Sequence, residues 1–174
     1  MSTTGGIIRA SGEGSARWFY GGGLHTWKAS ADETGGVLFA FEDSLDRGKV
    51  TPLHRHPDED ETLYVLAGAI VVVVGDDRRE LGPGGFSFAP RGVAHAVAVI
   101  GETARVLTVH TPGGTGETFY IDASEPAIAT NTDGPIDFAR VGQIAQATGA
   151  TEILGPPPFD PSGTAPQDPT RSTA

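Results

Sequence analysis

Apolar and polar positions along this chain alternate in short runs, broken by glycine, proline and acidic turn residues. Such punctuation predicts many short strands. Residues 17–20 and 24–28 flank Gly21, Gly22 and Gly23, and 32–36 reads as a turn. Residues 37–42 place Val37, Phe39 and Phe41 on one strand face. Strands are expected at 50–56, 62–66 and 69–74. The stretch 70–74 is continuously apolar, as in a strand buried on both sides. Gly75, Asp76 and Asp77 give a hairpin turn signal. Residues 86–89 and 95–100 are joined by Pro90, Arg91 and Gly92, and 104–110 closes the series. Ile7 and Ile8 add a candidate edge strand. The period then changes. Residues 136–148 carry Phe138, Val141, Ile144 and Ala145 on a helical stripe, with Pro135 near the start and Gly149 as the stop.

Composition narrows the function. The 174 residues favour one domain with room for a core. A formal net charge of −10 argues against nucleic acid and anionic membrane surfaces as partners. Without cysteine there is neither disulfide nor thiol chemistry. Residues 1–6 lack a basic region and an apolar core, and no apolar run reaches membrane-spanning length, so a cytoplasmic protein is expected.

Four residues carry the candidate chemistry. His54 and His56 lie two apart, so on a strand both imidazoles share a face. Glu61 leads one apolar run and His95 another. Three neutral imidazoles and a carboxylate converging from neighbouring strands make a divalent-metal site, open to Fe, Ni, Mn, Co, Cu or Zn. Glu59 rivals Glu61 as the carboxylate. Glu61 is preferred because it leads the strand, whereas Asp58, Glu59 and Asp60 read as a solvated loop.

The spacing of Gly48, His54, His56, Glu61 and Gly68, followed by Gly84, Pro90, Gly92 and His95, resembles the two motifs of the cupin superfamily. One departure is visible: the usual Asn four residues after the last His is Val99 here. The resemblance implies an all-β jelly-roll β-barrel with metal held by His54, His56, Glu61 and His95. Short N-terminal strands (1–34), a barrel core (35–112), a C-terminal extension with a helix (113–154) and a Pro-rich tail read as disordered (155–174) complete the expected division. Short Gly/Pro strings around Glu33 and Thr111 resemble quercetinase-like single-domain members. That likeness implies a dioxygenase of an enol- or phenol-type small molecule, with Glu61 as both ligand and proton acceptor. A redox-neutral isomerase, cyclase, decarboxylase or lyase and a non-enzymatic small-molecule binder are the alternatives.

Around the metal, His110 is expected either to reach the cavity as an acid/base group or to be a buried, satisfied histidine. Of the pairs Phe39/Phe41 and Phe86/Phe88, one is expected in the core and the other on a pocket wall. Val97 and Val99 share strand parity with His95 and are assigned to an apolar cavity floor. His25 is read as structural or as a dimer contact, and Arg91 as a surface residue. Exposed sheet edges call for cover, so the N-terminal strands are expected to cross to a partner in a homodimer.

Overall fold

Turn glycines and short apolar runs fold into ten strands and two helices, and the computed structural model describes residues 5–127 and 134–159. In chain order the elements are β1 (Ala16–Phe19), β2 (Leu24–Ala29), β3 (Phe39–Asp46), β4 (Leu53–Arg55), β5 (Asp60–Val74), β6 (Asp77–Leu81), β7 (Phe86–Ala89) and β8 (His95–Thr111). They continue with α1 (Thr115–Asp122), β9 (Ser124–Pro126), α2 (Phe138–Thr148) and β10 (Glu152–Gly155). The sheet order is β10-β4-β8-β3-β2-β1-β9, while β5 pairs with β6, β7 and β8. Every pairing between these strands is antiparallel. This is the all-β jelly roll that the strand punctuation implies, wrapped around its interior without closing into a ring.

Two pairs of expected strands merge. Residues 62–66 and 69–74 belong to β5, and 95–100 and 104–110 belong to β8. The joint in β5 is Gly68. Its φ is +71°, and a Cβ there would lie 2.0 Å from the Thr103 carbonyl oxygen, so only glycine lets the strands meet. The β5–β8 register shifts on both sides of it, between Val65 and Ala67 and between Gly68 and Ile70. The bend lets one strand serve both halves of the barrel.

Two apolar clusters fill the interior. One is aromatic, built on Phe19, Trp27, Phe39, Phe41, Phe119 and Tyr120. The other is aliphatic, built on Leu45, Leu63, Val65, Ile70, Val99 and Val106. Val37 is 65% exposed and precedes β3, so the inward face begins at Phe39.

The ends of the chain differ from expectation in three ways. Ile7 and Ile8 form no strand, and Ile8 is almost fully exposed. β1 and β2 pair with β9 and β3 of the same chain. Helix α1 escapes the sequence pattern because its apolar residues Phe119, Tyr120 and Ile121 are consecutive and show no helical stripe. The expected C-terminal helix starts two residues late. The Asp137 side chain caps it by accepting from the Arg140 N–H at 2.9 Å, and Gly149 ends it in the left-handed conformation. Downstream, β10 pairs Ile153 with His54, which seats the three-residue β4 between β10 and β8. Most of the tail expected from 155 onward, residues 160–174, lies outside the described residues.

Candidate metal centre

Register brings the four ligands together. His54 on β4 faces His95 on β8, and Glu61 on β5 faces His110 on β8. His54, His56, Glu61 and His95 are all buried, and their donor atoms lie within 4.8 Å of one another. Glu61 Oε2 is 3.0 Å from both His56 Nε2 and His95 Nε2.

Each imidazole is anchored from behind. His54 Nδ1 lies 2.9 Å from the Pro52 carbonyl, His95 Nδ1 2.9 Å from the Val93 carbonyl, and His56 Nδ1 3.2 Å from the Ala150 carbonyl. A carbonyl only accepts, so each Nδ1 carries a proton and each Nε2 is the atom free to ligate once it is unprotonated. Metal-binding histidines are oriented by such contacts. Three Nε2 lone pairs and a carboxylate fit a divalent transition metal. Burial pushes the His54 imidazole down to about 3, with His95 and His56 adding to the effect, so it stays neutral. Burial opposes ionisation of Glu61. The adjacent His95 and His56 outweigh it and hold the carboxyl well below its usual range.

The second carboxylate has a separate place. Glu59 is 3% exposed, which corrects its reading as part of a solvated loop. It accepts from the Gly116 N–H at 2.8 Å, and burial pushes its carboxyl up. A Cβ on Gly116 would lie 1.7 Å from Glu59 Oε2, so that close approach requires glycine. Neighbouring Asp60 instead pairs with exposed Arg91 at 2.9 Å. His110 is fully buried, stacked on Phe39 at 4.5 Å, with neither ring nitrogen hydrogen-bonded. Its Nδ1 is 3.6 Å from Glu59 Oε2, and burial pushes it down to about 3. It is buried but not satisfied.

A cavity of about 70 Å³ reaches His54 and Glu61. Phe41, Leu63, Val97 and Val106 give it apolar walls, and Tyr120 enters from α1. Phe41 and Val97 line this cavity, while Phe39 backs His110. Two other assignments are corrected, those of the β7 phenylalanines and of Val99. Phe86 and Phe88 are 59% and 47% exposed, because the pleat of β7 turns Ser87 and Ala89 inward. Val99 packs into the aliphatic cluster and is absent from the cavity wall, since Val97 is the last residue of that parity to reach it. His25 is 2% exposed, stacked on Phe19 and Phe41 at 4.9 and 4.4 Å. Sequence reasoning missed Tyr120, Asp43, Lys49 and Thr51 on the cavity wall. For Lys49 one signal existed: it follows the motif glycine Gly48.

Comparison with known proteins agrees with this geometry. Residues 42–111 match the family model described as Cupin domain. Quercetin 2,3-dioxygenase of Bacillus subtilis (strain 168) is 26% identical over 141 residues, covering 78% of this chain and 42% of that protein. The chain spans 42% and 65% of the lengths of two curated relatives it matches. Among solved structures, KdgF from Halomonas sp. is 26% identical with a TM-score of 0.55, over 63% of this chain and 94% of that one. A predicted oxalate decarboxylase from Thermotoga maritima has the same fold, at 20% identity and a TM-score of 0.55, over 62% of this chain and 99% of that one. Among the described residues no helix is long and apolar enough to cross a membrane. Motifs, register and fold agree with the domain match, so residues 42–111 are similar to a cupin domain.

Proposed function

We propose that this cupin is a metal-dependent enzyme that dioxygenates a small enol- or phenol-type molecule. The observation that carries the reading is the convergence of three anchored imidazoles and one carboxylate on the wall of an apolar cavity. The likeness to quercetin 2,3-dioxygenase supports the oxygenase class. A divalent transition metal (Fe, Ni, Mn, Co, Cu or Zn) bound by His54, His56, Glu61 and His95 would supply Lewis acidity toward a substrate oxygen.

Phe41, Leu63, Val97 and Val106 bury the body of the substrate and exclude water. Glu61 accepts the proton that leaves the substrate hydroxyl. Because its neighbours keep it a weak base, it suits an acidic enol or phenol better than an alcohol. His110, neutral, registered opposite Glu61 and with neither ring nitrogen partnered, is the residue we assign to orient the group that carries that proton, through a hydrogen bond. We place the protein in the cytoplasm, as a homodimer.

Elemental analysis of protein purified without added metal, followed by oxygen uptake with flavonol and catechol substrates, tests the reading. Metal-dependent oxygen consumption supports it. Metal-dependent turnover without oxygen would replace it with an isomerase, cyclase, decarboxylase or lyase. A tight ligand with no turnover would make the protein a binding cupin.

A further inference from the structure

We propose that Asp43 and Lys49 form a second polar pole of the cavity, which recognises a neutral hydroxyl on the end of the substrate remote from the metal ligands. This rests on the reading that the cavity takes a small organic molecule with its acidic oxygen toward Glu61.

The sheet register places the pole. On β8, His110 faces Glu61 on β5 and Phe39 on β3. Four residues earlier, Val106 faces Asp43. Four residues of strand span about 13 Å, and Asp43 and Glu61 both line the one cavity. Between them the wall is mostly the apolar residues already described, with Thr108 of β8 among them. The cavity thus carries a charged group at each end and a mostly apolar middle.

At the far end, Lys49 Nζ donates to the Gly21 carbonyl and lies 5.2 Å from the Phe19 ring centroid. An ammonium carries three donors, and the Gly21 carbonyl takes one. Burial pushes Lys49 down to about 8, against the opposing attraction of Asp43. Asp43 Oδ1 is buried, sits 3.3 Å from His25 Nε2 and accepts no hydrogen bond. The loop of Gly21, Gly22 and Gly23 runs beside both groups. At Gly23 φ is +119°, and a Cβ would come within 2.9 Å of Asp43 Oδ1.

The pairing of a donor with an orphan acceptor selects the ligand group. A hydroxyl accepts from Lys49 and donates to Asp43, satisfying both. A carboxylate would meet Asp43 as a like charge and leave its oxygen unpaired. A methyl group would leave both partners unsatisfied.

Three 5-hydroxy-4-pyranones differing only at the ring position remote from the hydroxy-ketone edge test the pole: allomaltol (methyl), kojic acid (hydroxymethyl) and comenic acid (carboxylate). Binding is measured by calorimetry on metal-loaded and metal-free protein. Kojic acid is expected to bind about tenfold tighter than allomaltol, and comenic acid no tighter than allomaltol. Lys49→Met and Asp43→Asn should each erase the kojic acid advantage over allomaltol while leaving metal content unchanged. Equal affinity for kojic acid and allomaltol overturns the proposal. Tightest binding of comenic acid also overturns it, in favour of a simple anion site. Allomaltol affinity that does not depend on metal would instead count against the proposed function, and the kojic acid comparison can be read on either form of the protein.

Discussion

His54 and His95 face each other across the β4–β8 pairing with ring centroids 4.3 Å apart, and each is anchored through Nδ1 to the carbonyl two residues before it. The repeated device turns both Nε2 atoms toward Glu61. Losing a residue that merely orients a ligand typically lowers metal affinity by about 10–100-fold, and losing the ligand itself should exceed that. His54→Ala and His95→Ala are therefore expected to lose bound metal after dialysis at neutral pH while keeping a β-type circular dichroism spectrum. A variant that retains wild-type metal content would remove that residue from the site.

Metal binding requires unprotonated imidazoles, so protons compete for the same lone pairs. Occupancy should fall as pH is lowered, and it should recover when pH is restored if the barrel survives. Metal content across a pH series, with the dichroism spectrum recorded alongside, checks this. Occupancy independent of pH down to the point of unfolding would contradict ligation through His54, His56 and His95.

Glu59 and His110 form a buried pair in which each has an unpartnered polar atom. Glu59→Gln keeps an acceptor for the Gly116 N–H and adds a donor within reach of His110 Nδ1. It should stabilise the protein by about 1 kcal/mol at pH 7. The sign follows from burial, which raises the folded-state carboxyl above its unfolded value. The stability this gives is present below the unfolded pKa and is lost as pH rises through the folded one. The advantage of Glu59→Gln should accordingly shrink as pH falls toward 4. Thermal melts of both proteins at several pH values read it directly.

The metal ligands were legible in the sequence because strand parity and fixed spacing determine which side chains share a face. His54, His56, Glu61 and His95 were picked out by that together with the motif resemblance, whereas Gly68 stood in the motif without revealing that it bends one continuous strand. Contacts between remote segments left no such trace. Glu59 sits in an acidic run that looks solvated, and its partner Gly116 is 57 residues away. Tyr120 reaches the cavity from a helix whose apolar residues have no period. Phe86 and Phe88 misled because β7 is four residues long and its inward residues, Ser87 and Ala89, are small, so size pointed to the wrong face. Val99 has the right parity but packs into the aliphatic cluster, and β8 lines the cavity through Val97, Val106 and Thr108 instead.

Lys49 gives a pH dependence of opposite origin. Its folded value near 8 is below the unfolded value of about 10.4, so the unfolded chain binds more protons between them. Stability contributed by this group rises with pH through that window. Lys49→Met removes the contribution. The melting temperature of wild type relative to Lys49→Met should therefore increase from pH 8 to pH 10. A constant difference would show that Lys49 titrates as an ordinary exposed lysine.

The outer face of β5 and β7 bears on assembly. Tyr64 and Phe86 are registered partners, exposed by 43% and 59%, and Leu66 and Phe88 extend the patch at 37% and 47%. An apolar patch of this kind on a chain carrying a net charge of −10 is poorly suited to solvent. A twofold axis through it would bury each of these side chains twice, since such an interface uses the same surface on both copies. Burying a phenylalanine contributes about 1.5–3 kcal/mol, so Phe86 and Phe88 from two protomers could carry much of a stable dimer. The expected mass in light scattering at micromolar concentration is twice the 18.0 kDa of the chain. Replacing Phe86 and Phe88 together by Ser should shift the mass to that of a monomer. Metal content should stay unchanged, because both side chains point away from the site. A monomeric wild type would refute the assembly, and a double variant that stays dimeric would move the interface elsewhere.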